Sequence, residues 1–216
     1  QGDNAPAIVA AGGNTAVTVN GDVSTAGANA PGVYAVGQTG SATVTNNGTV
    51  STIGAGSAGI VAVGYGDVTV SGTGSVRSSA TGVEVYSYAG NIVAGQAAIV
   101  TTSDGADGIH AETANALGTA GNITINTGTI ATSGNAADGI DAAALNGGTI
   151  AIAHGAISTS GEGSFGVAAT GLEDVTIAGG SVTTTGYNAA GVYAVSILGN
   201  ASVANSGTIS SAGEYA

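Results

Sequence analysis

The chain has 216 residues, 40 of them glycine; 43% are hydrophobic, 4% aromatic and 6% charged, and cysteine, methionine and tryptophan are missing. One Lys or Arg against thirteen Asp and Glu gives a formal net charge of -12, which excludes a nucleic-acid ligand held by phosphate neutralisation and disfavours an anionic membrane surface. No stretch reaches the 18 or so apolar residues that a spanning helix needs, so no membrane insertion by this segment is expected.

A globular domain carries roughly 25% charged residues, so this surface is built from Thr, Ser, Asn, Gly and a few carboxylates. Abundant Val, Ile and Ala argue against disorder. Along the chain, a Gly-(Val/Ile)-x-(Ala/Val) motif recurs, with first anchors Ile8, Val33, Ile60, Val83, Ile109, Ile140, Val167 and Val192. The spacings run 25, 27, 23, 26, 31, 27 and 25 residues, close to one turn of a large coil. After each anchor comes an alternating triplet: Val17-Thr18-Val19, Ala42-Thr43-Val44, Val68-Thr69-Val70, Ile92-Val93-Ala94, Ile123-Thr124-Ile125, Ile150-Ala151-Ile152, Val175-Thr176-Ile177 and Ala201-Ser202-Val203. Period-two alternation marks a short half-buried strand. A third anchor closes each unit, at Val23, Val50, Val76, Ile99, Ile130, Ile157, Val182 and Ile209.

Glycine punctuates the same register. A Gly lies two residues before the third anchor in seven of eight units, and ten residues separate the third anchor from the next first anchor in six of seven cases. One unit cannot bury its apolar face alone, whereas stacked units bury a continuous column. The sequence therefore predicts a single all-β domain over residues 1–216, a parallel β-helix (solenoid) of about eight three-strand coils. The right-handed form is expected because parallel crossovers prefer that hand, and the irregular spacings lack the strict hexapeptide step of left-handed β-helices. Eight coils at about 4.8 Å each make a rod roughly 38 Å long.

Units such as Gly48-Thr49-Val50-Ser51-Thr52, Gly128-Thr129-Ile130-Ala131-Thr132-Ser133-Gly134 and Asp138-Gly139-Ile140-Asp141-Ala142 resemble the β-helical passenger domains of Gram-negative autotransporters, of the type V secretion pathway. The resemblance covers nearly the whole chain and implies fold and secretion route rather than a particular activity. It implies an extracellular or outer-membrane surface location, and a chain without Cys suits a passenger that threads unfolded through a pore. No C-terminal β-barrel follows, and Gln1-Gly2-Asp3-Asn4 carries no signal-peptide pattern, so the expectation is a processed segment of a longer passenger.

Alternate residues of each strand leave the core, so outward rows can be read directly. The first strands project Val9, Tyr34, Val61, Glu84, His110, Asp141, Ala168 and Tyr193 in one row. A second row holds Ala11, Val36, Val63, Tyr86, Glu112, Ala143, Thr170 and Val195. Tyr34, Val36, Val61, Val63, Tyr86 and Tyr193 form the expected binding face, since Tyr offers a rigid apolar ring and a hydroxyl to sugars or proteins. Tyr65, Tyr88 and Tyr187 are also expected to be exposed, and Phe165 to cap a corner. Glu84, His110, Glu112 and Asp141 could serve as general acids or bases, and Asp104, Asp107, Asp138 and Glu112 could offer oxygens to Ca²⁺. The plainer reading of both sets is a solvated polar face, since glycan-cleaving β-helices also need cations and Arg77 is alone. Residues 113–122 are expected to bulge as a loop, and His154 to sit on a surface corner. A second-strand row of Thr18, Thr43, Thr69, Val93, Thr124, Ala151, Thr176 and Ser202 raises ice binding as a further alternative.

The leading expectation is a non-enzymatic passenger segment without a cofactor, an adhesin or rigid stalk meeting a host or sibling cell surface through glycan or protein, with self-association open to it. The runner-up is a polysaccharide lyase or hydrolase.

Overall fold

A computed structural model of the chain describes residues 2–114 and 121–214. Six residues of the expected insertion, 115–120, lie outside that range. The described chain forms twenty-four strands and no helix. Coils one to three carry β1 (Ile8–Gly12), β2 (Thr15–Val19), β3 (Val23–Thr25), β4 (Val33–Gly37), β5 (Ala42–Asn46), β6 (Thr49–Thr52), β7 (Ile60–Gly64), β8 (Val68–Ser71) and β9 (Ser75–Ser78). Coils four to six carry β10 (Val83–Ser87), β11 (Ile92–Ala94), β12 (Ala98–Thr101), β13 (Ile109–Thr113), β14 (Ile123–Thr127), β15 (Thr129–Thr132), β16 (Ile140–Ala144), β17 (Ile150–His154) and β18 (Ile157–Thr159). The last two carry β19 (Val167–Gly171), β20 (Val175–Gly179), β21 (Val182–Thr184), β22 (Val192–Ser196), β23 (Ala201–Asn205) and β24 (Ile209–Ser211).

Every third strand pairs in parallel with its counterpart one coil on, giving three eight-stranded sheets wound as a solenoid. The first anchors stack in register from Ile8 and Val33 through Ile109 and Ile140 to Val167 and Val192, as the sequence predicts. β-Branched residues suit this arrangement, because each packs on the same residue type one coil away while its stiff χ1 fits the pleat. Most of the resulting column is fully buried, including Val33, Ile60, Val83, Ile109, Ile140 and Val167.

One register differs from the sequence expectation. Thr15-Ala16-Val17 lies opposite Ala42-Thr43-Val44, so Thr18 stands beside Thr45 and not Thr43. The second-sheet row is Ala16, Thr43, Thr69, Val93, Thr124, Ala151, Thr176 and Ser202. No more than two threonines are consecutive in it.

Polar side chains tie the corners. At the end of the third strands Thr25, Thr52, Thr101, Thr132, Thr159 and Thr184 are buried, and each hydroxyl donates to the carbonyl five residues later, at 2.6–3.1 Å. The hydroxyl helps satisfy a buried turn carbonyl, which left without any partner would cost about 1–3 kcal/mol; the carbonyls of Ser57 and Ala189 also accept from the Ala80 N–H and the Ser211 hydroxyl. A second buried pair bridges the corner between the second and third sheets. Asn46 Nδ2 donates to Gln96 Oε1 at 2.8 Å, and Gln96 Nε2 donates to the carbonyls of Ser71 and Gly95.

The turn before seven of the eight first strands, all but β10, visits the left-handed region, at Asn4, Asn29, Gly56, Gly105, Ala136, Gly163 and Asn188. Gly and Asn tolerate it; Ala136, at φ 48°, is the exception. A left-handed L-residue costs about 1–2 kcal/mol, so Ala136→Gly is expected to raise stability by about 1 kcal/mol. In a chain of this size that is a Tm increase of about 2–4 °C, measurable by thermal unfolding.

Candidate functional site

The three sheets share one backbone plan but not one surface. Among the described residues, every aromatic carried by a strand (Tyr34, Tyr86, Tyr193) and every carboxylate carried by a strand (Glu84, Glu112, Asp141) lies on the first sheet. The outward third-sheet row is Ser24, Ser51, Arg77, Val100, Ala131, Ser158, Thr183 and Ser210. Arg77 therefore sits on a different sheet from the carboxylates.

Register places Val61, Glu84, His110 and Asp141 side by side on successive coils, with Val63, Tyr86, Glu112 and Ala143 in the next row. The sequence reading of both rows holds; accessibility departs from it at Val61, Val36, Val63 and Tyr86. Val61, expected on the open binding face, is only 8% exposed. It stands in the outward row between two longer side chains, Tyr34 and Glu84. Tyr86, Val36 and Val63 are half-buried, whereas Tyr34, Tyr65, Tyr88, Tyr187 and Tyr193 are exposed as expected. An open depression of about 400 Å³ lies beside the rows, lined by Val36, Gly37, Gln38, Val63, Tyr65 and Tyr88. Phe165 stacks on Tyr193 at a centroid distance of 5.6 Å.

His110 is the centre of the ionisable patch. Its Nδ1 lies 2.9 Å from Asp141 Oδ2 and 3.6 Å from Asp107 Oδ2, and its Nε2 lies 3.9 Å from Glu112 Oε2. The Tyr86 ring leans over it at 5.5 Å. Hydrogen bonding to Asp107 and then Asp141 raises the imidazole from its usual 6.5 to about 10, against the lowering effect of burial. Asp141 is the nearer carboxylate, and Asp107 the less exposed, at 15% against 35%. Burial, followed by repulsion from Glu84 and Glu112, pushes the Tyr86 phenol up to about 12. Burial pushes the Asp138 carboxyl up to about 7, against a hydrogen bond from the Phe165 N–H.

At neutral pH His110 is therefore an imidazolium, a donor and not a base. A proton held more tightly in the folded chain stabilises it below the unfolded value of 6.5, and that contribution disappears as pH rises through about 10. After allowance for partial solvent screening, stability is expected to fall by about 2 kcal/mol across that window. His110→Gln should flatten the decline; urea midpoints between pH 6 and 10.5 check it.

Among the described residues the ligand atoms that gather within 4.8 Å are those of Asp107, His110 and Asp141, a group that shares only Asp107 with the expected calcium set. Asp104 Oδ1 accepts the Asn135 N–H at 2.8 Å, Asp107 Oδ1 accepts the Asp138 N–H at 2.7 Å, and Asp138 Oδ1 accepts the Phe165 N–H at 2.6 Å. Each carboxylate reaches the backbone one coil further on. Asp3, Asp67 and Asp174 do the same to Ala28, Asn91 and Asn200, as do Asn91, Asn122 and Asn135 to Asn122, Thr149 and Glu162. Much of the acidic count is thus corner chemistry joining coils. Only Asp107, with a second oxygen turned to His110, belongs to both groups.

His154, expected on a surface corner, is buried at 8% exposure. Its neighbour one coil on is Gly179, where an added Cβ would lie 2.2 Å from His154 Nε2. The ring fills the space that this glycine leaves, and Nδ1 donates to the Gly155 carbonyl at 2.8 Å.

Comparison with protein family models, with curated proteins and with solved structures finds no match to this chain.

Proposed function

We propose that the chain is a non-enzymatic display rod, an extracellular β-helical segment of an autotransporter-like passenger that acts as an adhesin or stalk through its first sheet. The observation that carries this reading is the segregation of strand-borne aromatic and acidic residues onto one of three otherwise equivalent sheets. A scaffold serving only as a spacer has no physical need for that asymmetry, whereas contact with a glycan or protein does, because Tyr combines apolar area with a hydroxyl at low entropy cost. Tyr34, Val36, Val63, Tyr86 and Tyr193 supply the contact area, and the Tyr65–Tyr88 depression extends it. The partner is a glycan or protein on a host or sibling cell surface, and a second copy of the chain is a competing occupant of the same face. The net charge of -12 opposes capture by polyanions.

Binding of the purified chain to cells and to glycan and protein arrays tests this. Tyr34→Ala with Tyr86→Ala is expected to lower binding at least tenfold, the loss of two aromatic anchors, with Tm changed by only a few degrees. Unchanged binding would remove the face from consideration.

A second reading, a polysaccharide hydrolase or lyase using Glu84, His110, Glu112 and Asp141, is supported by the convergence of perturbed groups around His110. Against it stands the placement of Arg77 on another sheet, away from the carboxylates, while a protonated His110 would leave the role of base to a carboxylate. Release of reducing or unsaturated sugar ends, lost in His110→Ala, would favour the enzyme over the rod.

A further inference from the structure

We propose that His110, Asp107 and Asp141 form a site for a divalent transition-metal ion of the Zn²⁺ type, with one nitrogen and two oxygen donors and an open outward position. This goes beyond the adhesive reading and does not depend on it.

β13 and β16 are adjacent parallel strands, and the pairing of His110 with Asp141 sets an imidazole beside a carboxylate on a rigid sheet. Asp107 arrives from the turn three residues before His110, on the same coil. The three ligand atoms gather on one side of the ring: Nδ1 faces Asp141 Oδ2 at 2.9 Å and Asp107 Oδ2 at 3.6 Å, and all lie within 4.8 Å of one another. Ligands about 2.0–2.2 Å from a tetrahedral ion stand roughly 3.3 Å apart, so the separations of 2.9 Å and 3.6 Å at Nδ1 bracket the edge that such an ion requires. Small rotations of side chains, without movement of the backbone, would then suffice.

Two features outside the triangle orient it. Asp107 Oδ1 is held by the Asp138 N–H at 2.7 Å, which leaves Oδ2 directed at His110. On the far side of the ring, Nε2 faces Glu112 Oε2 at 3.9 Å, beyond hydrogen-bond distance but on the side from which a carboxylate supports a metal-bound histidine once it closes in. The nitrogen donor separates this arrangement from Asp3, Asp67, Asp104, Asp138 and Asp174, whose oxygens would suit Ca²⁺ and whose partners are backbone N–H groups. Nitrogen with oxygen suits Zn²⁺, Mn²⁺ or Ni²⁺. All three ligands are partly exposed, so an ion has a path in and water can complete its coordination; the ion displaces the proton on His110 Nδ1, so uptake releases a proton and strengthens as pH rises.

The test is titration of the EDTA-stripped full chain with ZnCl₂, MnCl₂ and CaCl₂, read by isothermal calorimetry and by thermal unfolding. One Zn²⁺ per chain is expected, with Tm raised by about 5–10 °C at a hundredfold excess over Kd. His110→Gln and Asp141→Asn should each weaken binding at least tenfold, the scale on which loss of a ligand or its support is felt, while Asp104→Asn leaves it unchanged. The ¹⁵N resonances of His110 should shift on Zn²⁺ addition in the wild-type chain, a readout that needs no variant to fold. Binding that survives His110→Gln, a Ca²⁺ preference indifferent to His110, or no Zn²⁺ uptake at millimolar concentration would each overturn the proposal.

Discussion

Gly161→Ala is expected to destabilise the chain by more than about 4 kcal/mol, a loss outside the ordinary range for single substitutions. A Cβ at Gly161 would stand 1.7 Å from the Gly134 carbonyl oxygen and 2.3 Å from its carbon. Both are backbone atoms that cannot step aside alone. The next residue donates its N–H to Asn135 Oδ1 at 2.9 Å, its carbonyl accepts the Ala136 N–H at 2.8 Å, and Gly163 donates to Tyr187 on the following coil. Moving Gly161 away from Gly134 would therefore break ties on both sides. The same column continues upward, where Gly186 presents its missing Cβ to the Gly161 oxygen. Gly163→Ala is the matched control: a Cβ there meets nothing within 4 Å, and only the left-handed φ of 66° penalises it, at about 1–2 kcal/mol. Urea midpoints of the two variants check the difference, and a Gly161→Ala chain within 1 kcal/mol or so of the wild type would contradict the close stacking of coils.

Ile140→Ala is expected to cost about 2–5 kcal/mol, the transfer and cavity terms together. Ile140 is fully buried and stacks between Ile109 and Val167. In a solenoid a central coil has interface terms on both sides, so the cavity weakens both. Val192→Ala, at a partly exposed position in the last described coil, should cost less than half as much. Equal losses at the two positions would contradict a core that runs continuously along the rod.

The anchor columns were legible because three constraints repeat together: an apolar first anchor, a glycine two residues before the third anchor, and ten residues to the next coil. The register of the second strand in coil one was not, because Thr15-Ala16-Val17 and Val17-Thr18-Val19 alternate equally well. Backbone pairing chooses between them through the Thr15 N–H, which donates to the Ser41 carbonyl at 2.9 Å. Within the site, Glu84, His110, Glu112 and Asp141 followed from strand register alone. Asp107 did not join His110 in that reading, because its approach depends on turn geometry, and neither did the inter-coil bonds of Asp104 and Asp138. A corner side chain has no alternation to say where it points. The burial of His154 carried one signal in the sequence, the glycine at Gly179 in the same place one coil later.

The central claim is that one sheet of three carries the contact surface, and a comparison of three single variants tests it most directly. Val63→Arg, Thr176→Arg and Ser158→Arg each place one bulky charge on an outward row of the first, second and third sheet, and binding of each to cells is measured beside the wild type. At least a tenfold loss is expected for Val63→Arg alone, since a desolvated unpaired charge in a contact costs several kcal/mol, with near wild-type binding for the other two. Equal binding by all three, or a loss confined to Thr176→Arg or Ser158→Arg, would contradict it.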